Sequence, residues 1–148
     1  MIPTGSIHEI LDRKGNAVWT VSPNTTVFEA IQLMSEKNVG ALLVTEHGKL
    51  IGIVSERDYT RKVALKGRTS KDLRVRDIIS EKVMNVTPQN TVEECMRLMT
   101  ENRVRHLPVL DGEKIIGVVS IGDLVNWIIT TQSTTIRQLE TYISGIPG

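Results

Sequence analysis

Two hydrophobic rhythms alternate along this chain. Val27, Ala30, Ile31 and Met34 recur at the spacing of one helical face, and Thr26-x-x-Glu29 just ahead of them has the form of a capping box. Gly40-Ala41-Leu42-Leu43-Val44 and Leu50 to Val54 are instead short continuous apolar runs, as in buried strands. Glu46-His47-Gly48-Lys49 between them predicts a hairpin turn. Ahead of the helix, Trp19 to Ser22 reads as a short strand that Pro23 stops. Behind the hairpin, a helix from Ser55 is expected to carry Tyr59, Val63 and Leu65 on its inner side.

The same order returns 65 positions later, the separation of Val21 and Val86. A strand runs to Thr87 and stops at Pro88, and Thr91-x-x-Glu94 caps a helix with Val92, Cys95, Met96 and Met99 inward. Strands from Leu107 and from Ile115 flank a turn at Asp111-Gly112-Glu113-Lys114, and a last helix runs from Ser120 through Ile129. The match has no gap from Val18 against Val83 to Val63 against Ile128, so the chain carries two copies of a β-α-β-β-α unit. The predicted organisation is an arm (1–17), a first unit (18–65), a basic connector (66–82), a second unit (83–130), and a C-terminal helix and tail (131–148). In the arm, Ser6 caps a short helix with Ile7, Ile10 and Leu11 on one face, and Val75 to Ile79 in the connector reads as a helical turn. Ile136, Leu139, Tyr142 and Ile143 predict the terminal helix.

Each unit closes on the same motif, Gly52-Ile53-Val54-Ser55-Glu56-Arg57-Asp58 and Gly117-Val118-Val119-Ser120-Ile121-Gly122-Asp123. A serine that ends a strand and opens a helix offers backbone N–H groups to an anion such as phosphate, and an aspartate one turn on can accept from a ribose diol. The alternative is purely local: Ser-x-x-Asp is also a capping box that satisfies the first turn of its own helix.

Composition narrows the class. With 40% hydrophobic and 24% charged residues the chain is globular, and with 3% aromatics its core must be built from aliphatic residues and methionine. A formal charge of +1 leaves no overall surplus for a polyanion. Cys95 is the only cysteine, which excludes an intrachain disulfide and a cysteine-rich metal site; its apolar neighbours suggest a small buried residue. No run of about 18 apolar residues and no basic-then-apolar leader occurs, so a cytoplasmic, membrane-free protein is expected.

The doubled β-α-β-β-α unit, the Gly-h-h-Ser-x-x-Asp turn closing each copy, the proline after the first strand and Arg105-His106-Leu107-Pro108-Val109 together resemble a tandem pair of cystathionine beta-synthase (CBS) domains over residues 18–130. Glu56-Arg57-Asp58-Tyr59 and Arg105-His106-Leu107-Pro108 are similar to those of stand-alone bacterial and plant mitochondrial members. The resemblance implies an α/β (α+β) fold with the two units packed about a pseudo-twofold axis into one disc, the Bateman module, with two clefts between them. It implies adenine nucleotide ligands: AMP first, then ADP, ATP or the adenosine half of NAD, with S-adenosylmethionine as a further family ligand. Carried onto this sequence, one cleft would place Thr20 and Val21 near the base, and Val39, Gly40 and Ala41 as backbone partners. Asp123 would meet the ribose beside Ile121 and Gly122, and Ser120 with Arg105 or His106 the phosphate. The other cleft would use Asn85, Val86, Val104, Ser55, Arg57 and Asp58. Because Gly40-Ala41 stands where Arg105-His106 stands in the second unit, and Glu56 would repel an anion, the Asp123 cleft is expected to be the stronger site.

The function expected is regulatory: sensing adenine nucleotide and passing the result to an effector protein through a change of shape or association, as a homodimer of paired units. No nucleophile with an adjacent base and no metal cluster is legible, so no catalysis and no catalytic cofactor are expected. The alternatives are a ligand-independent scaffold, or a nucleic-acid binder drawing on Lys62, Lys66, Arg68, Lys71, Arg74 and Arg76, which lacks aromatic stacking platforms.

Overall fold

The computed structural model describes residues 5–79 and 83–131; the terminal helix expected at 135–143 lies outside them. Helix α1 (Ile7–Lys14) comes first. The first unit follows as β1 (Thr20–Val21), α2 (Val27–Lys37), β2 (Ala41–Glu46), β3 (Lys49–Ser55) and α3 (Glu56–Tyr59). The second unit is α4 (Val92–Asn102), β4 (His106–Asp111), β5 (Lys114–Ser120) and α5 (residues 121–131, the last described). The fold is mixed α/β, with two copies of one unit.

In the first unit β1 pairs in parallel with β2, Thr20 opposite Leu43, and β2 pairs antiparallel with β3 from Ala41–Ser55 to Glu46–Lys49. In the second, β4 and β5 pair from His106–Ser120 to Asp111–Lys114, with the register shift at the equivalent place. The expected first strand of this unit shrinks to one bridge, Val86 with Val109. Chemistry at one position accounts for it: Leu43 N donates to Trp19 O in the first unit, and the equivalent residue, Pro108, has no N–H to donate. Both hairpins close with two residues, and the positive φ of His47 (53°) and Gly48 (76°) is the backbone that matches strand twist.

Both long helices start on the predicted caps, Thr26 and Thr91, and end on a left-handed residue, Asn38 and Arg103, each with φ 54°. Val27, Ala30 and Met34 on α2 and Val92, Cys95 and Met99 on α4 are buried as their spacing predicts. Loss of water, then the nearby Glu94 charge, pushes the Cys95 thiol up to about 11. Leu65 departs from expectation. After Tyr59 the helix widens into a π turn over Thr60–Ala64, which leaves Val63 buried and Leu65 76% exposed.

The arm is not an appendage. Ile7, Ile10 and Leu11 are buried in the core of the second unit with Val92, Leu107 and Leu124, while Val75 and Ile78 of the connector are buried in the core of the first. The two segments dock alike. Ile7 N and His8 N donate to Asn90 O and Pro88 O, and Val75 N and Arg76 N donate to Thr25 O and Pro23 O. Leu11 lies over Gly117 as Ile79 lies over Gly52, and a Cβ on either glycine would come within 3.0 Å of the covering side chain. Each unit is thus completed by a segment that precedes the other unit in the chain.

Candidate functional site

Both closing turns are capping boxes in the structure. Ser55 N and Oγ donate to Asp58 Oδ2 at 2.9 and 3.0 Å, and Asp58 N donates back to Ser55 Oγ at 3.2 Å. In the second unit Ser120 N donates to Asp123 Oδ2 at 2.8 Å and Asp123 N to Ser120 Oγ at 3.1 Å. The local reading of the motif is therefore satisfied in both copies, and it fixes each carboxylate against its serine. Backbone bonds then set each turn beside the start of the preceding strand, through Glu56 N to Gly40 O and Ile121 N to Arg105 O.

What surrounds the two turns differs sharply. On the Asp58 side a cavity of about 700 Å³ opens between the closing turn of the first unit and the end of α4 with the start of β4 in the second. Ile53, Met84 and Val104 contribute apolar lining, while Ser55, Asp58 and Asn102 give it hydrogen-bonding groups. Arg57, Arg61, Lys62, Arg103 and Arg105 supply positive charge against the carboxylates of Glu56 and Asp58. Lys62 is held in place, 3.5 Å from Asp58 Oδ1 and donating to Ile78 O at 2.7 Å. Arg57 Nη1 donates to Arg103 O at 3.2 Å, which ties the two units together at the cavity mouth. Loss of water, and the like charges of Arg61, Arg105 and Arg103, hold Arg57 below the ordinary arginine value against the opposing pull of Asp58.

On the Asp123 side the arm takes the space. Lys14 Nζ donates to Asp123 Oδ2 at 2.6 Å and to Val118 O at 2.8 Å, and the Arg13 guanidinium lies 4.6 Å from the centre of the Trp127 ring. The remaining cavity there, about 240 Å³, is lined by the arm and α5.

The predicted residues sort accordingly. Ser55, Arg57, Asp58 and Val104 meet on the large cavity as expected, but so do Gly40, Arg105 and His106, which the sequence reading assigned to the Asp123 cleft. Asp123 lines the small cavity. Thr20, Val21, Val39 and Ala41, with Asn85, Val86, Ser120, Ile121 and Gly122, line neither of these two cavities. The Asp123 cleft was expected to be the stronger site on the strength of Arg105 or His106; the structure instead pairs Asp123 with Lys14 and sets Arg105 and His106 on the Asp58-side cavity. His106 sits between the turns, its ring 3.5 Å from where a Cβ on Gly40 would stand. Its burial lowers its pKa, Asp123 and Asp58 oppose this, and Lys14 and Arg105 reinforce it. Of the residues lining the large cavity, the predicted site left out Ile53, Thr60, Arg61, Lys62, Met84, Asn102 and Arg103. For the arginines the signal was available in the repeat, since the residues 65 positions from Arg57, Arg61, Arg103 and Arg105 are Gly122, Asn126, Asn38 and Gly40.

Comparison with known proteins matches the CBS domain model to residues 8–65 and 75–130, so the arm from residue 8 onward and the end of the connector fall within the matched segments. The CBS domain-containing protein CBSX3, mitochondrial, of Arabidopsis thaliana is 39% identical over 150 residues, covering 95% of this chain and 72% of the relative. A solved structure of a protein with CBS domains from Burkholderia ambifaria is 51% identical with a TM-score of 0.83, covering 86% of this chain and 96% of that one. The CBS domain pair of protein MJ0100, solved with 5'-methylthioadenosine and S-adenosyl-L-methionine, shares the fold at 22% identity and a TM-score of 0.72, covering 84% and 95%.

Proposed function

This chain belongs to the CBS domain family, and from that premise we propose that it is a non-catalytic regulatory module whose Asp58-side cavity binds an adenine nucleotide. The observation that carries this reading is the mixture of apolar, hydrogen-bonding and cationic groups that line one cavity. The apolar lining from Ile53, Met84 and Val104 suits a base, Asp58 suits a ribose hydroxyl, and the arginines suit phosphate. The adenosine-containing ligands of the MJ0100 pair support adenine as the base. AMP, ADP, ATP and the adenosine half of NAD share these three parts.

Because the cavity is built from both units, a ligand in it biases their relative arrangement by as much as it prefers one arrangement over another. That change is the output, read by an effector protein or by another copy of the chain. Val125 and Ile129 are exposed one turn apart on α5 and support contact between copies in a homodimer.

Thermal unfolding against AMP, ADP, ATP, NAD and S-adenosylmethionine, with GTP as a control, tests the assignment. A ligand at about 100 times its dissociation constant stabilises by roughly 2.7 kcal/mol, raising the midpoint of a chain this size by ~5 to 10 °C. A midpoint unmoved by every adenine compound would sink the proposal.

A further inference from the structure

The four arginines of the large cavity are arranged against their own electrostatics. Among the described residues none of Arg57, Arg61, Arg103 and Arg105 stands in an ion pair, whereas Lys62 and, from the arm, Lys14 each hold the aspartate of a closing turn. Three of the four act on Arg57 as like charges. Arg103 reaches its place in a left-handed backbone conformation that arginine adopts less readily than the asparagine at the equivalent position of the first unit. The repeat supplies an internal control. Two units of common design differ at all four positions, with glycine or asparagine wherever the other copy has arginine, so the shared fold does not require the charge. A solvated charged face would spread its cations, but these converge on one cavity of about 700 Å³ from two segments about 45 residues apart in the chain.

A nucleoside monophosphate brings at most two negative charges, near one phosphorus. Four arginines, with only Glu56 on the cavity left to offset them once Asp58 is held by Lys62, match a longer anion. We infer that this cavity selects for the phosphate chain: its ligand is a nucleoside di- or triphosphate, bound in preference to the monophosphate, with Arg61 and Arg105 reading the outer phosphates. The inference rests on the nucleotide reading above and adds phosphate number to it.

Isothermal titration of AMP, ADP, ATP and inorganic tripolyphosphate, without divalent cations and at two salt concentrations, tests it on the wild type and on Arg61→Ala and Arg105→Ala. Both side chains are exposed and make no described hydrogen bond, so the variants are expected to fold, which their unfolding midpoints check. ATP is expected to bind at least about tenfold tighter than AMP, with the steeper salt dependence. Each substitution is expected to weaken ATP at least about fivefold while leaving AMP within about twofold. AMP binding as tightly as ATP, or equal losses for both in the variants, overturns the inference and leaves the nucleotide reading standing. Tripolyphosphate binding as tightly as ATP supports the anion preference and overturns the adenine assignment. No binding by any of the four overturns both.

Discussion

If the arm is part of the second core, a truncation within it must cost as much as one in the heart of the fold. Ile7 is the sharpest case: its side chain is fully buried among residues of the second unit, although it precedes the whole first unit in the chain. Replacing Ile7 by Ala removes three carbons, worth ~2.4 kcal/mol at about 0.8 kcal/mol each, before any cavity term. Because α1 is anchored on both sides of the site by Ile7 N to Asn90 O and Val92 N to Gly5 O, the cavity cannot readily collapse, which places the expected loss at about 3 kcal/mol. For a chain of 148 residues this lowers the unfolding midpoint by ~6 to 12 °C. Far-UV circular dichroism and calorimetry on the same samples measure it and check that unfolding remains a single transition. Leu65→Ala, at a side chain 76% exposed, is the control and should stay within about 0.5 kcal/mol. A midpoint for Ile7→Ala within about 2 °C of wild type would show that the arm is dispensable and refute its place in the core.

Three further outcomes are expected. Gly117→Ala places a methyl 2.7 Å from Leu11 Cδ2 in a buried contact, and should destabilise by about 1–3 kcal/mol in a denaturant titration, with Gly122→Ala, whose methyl would meet only Ser120 Oγ at 3.6 Å, as the spacious comparison. Cys95, fully buried with its thiol pushed up to about 11, should react with an aromatic disulfide reagent at neutral pH only as fast as the protein opens; immediate stoichiometric labelling would contradict its burial. Burial depresses the His106 pKa below its unfolded value of 6.5, so below that pH the unfolded chain takes up a proton that the folded chain resists, and stability falls as pH falls. His106→Gln should flatten the stability profile on the acid side of pH 6.5 and leave it unchanged above; equal slopes in both proteins would remove His106 from the account.

Much of the fold was legible because its causes are local or repeated. The caps at Thr26 and Thr91, the helical stripes and the hairpin turns depend on residues within one turn of each other, and the duplication confirmed each reading by a second copy. What escaped depends on partners far apart in sequence. The spacing of Ile7, Ile10 and Leu11 predicts an apolar face but not that it covers the second unit. Nothing near Asp123 announces that Lys14, 109 residues away, pairs with it. The placing of Arg105 and His106 on the Asp58-side cavity escaped for the same reason. Arg105 offers its carbonyl to the second turn and its charge to the first, and only the tertiary arrangement separates the two. Pro108 is a case where the information was present: a proline opposite the expected strand already forbade the second bond that would have extended it.

The most direct measurement is a crystal structure of the chain grown with saturating ATP. The account predicts one nucleotide per chain between the units, its ribose at Asp58, its base against Met84 and Val104 and its phosphates among Arg57, Arg61 and Arg105, with Lys14 still on Asp123. Density for the nucleotide at Asp123 and Trp127 with the arm displaced, or none in the Asp58 cavity at saturation, would contradict it.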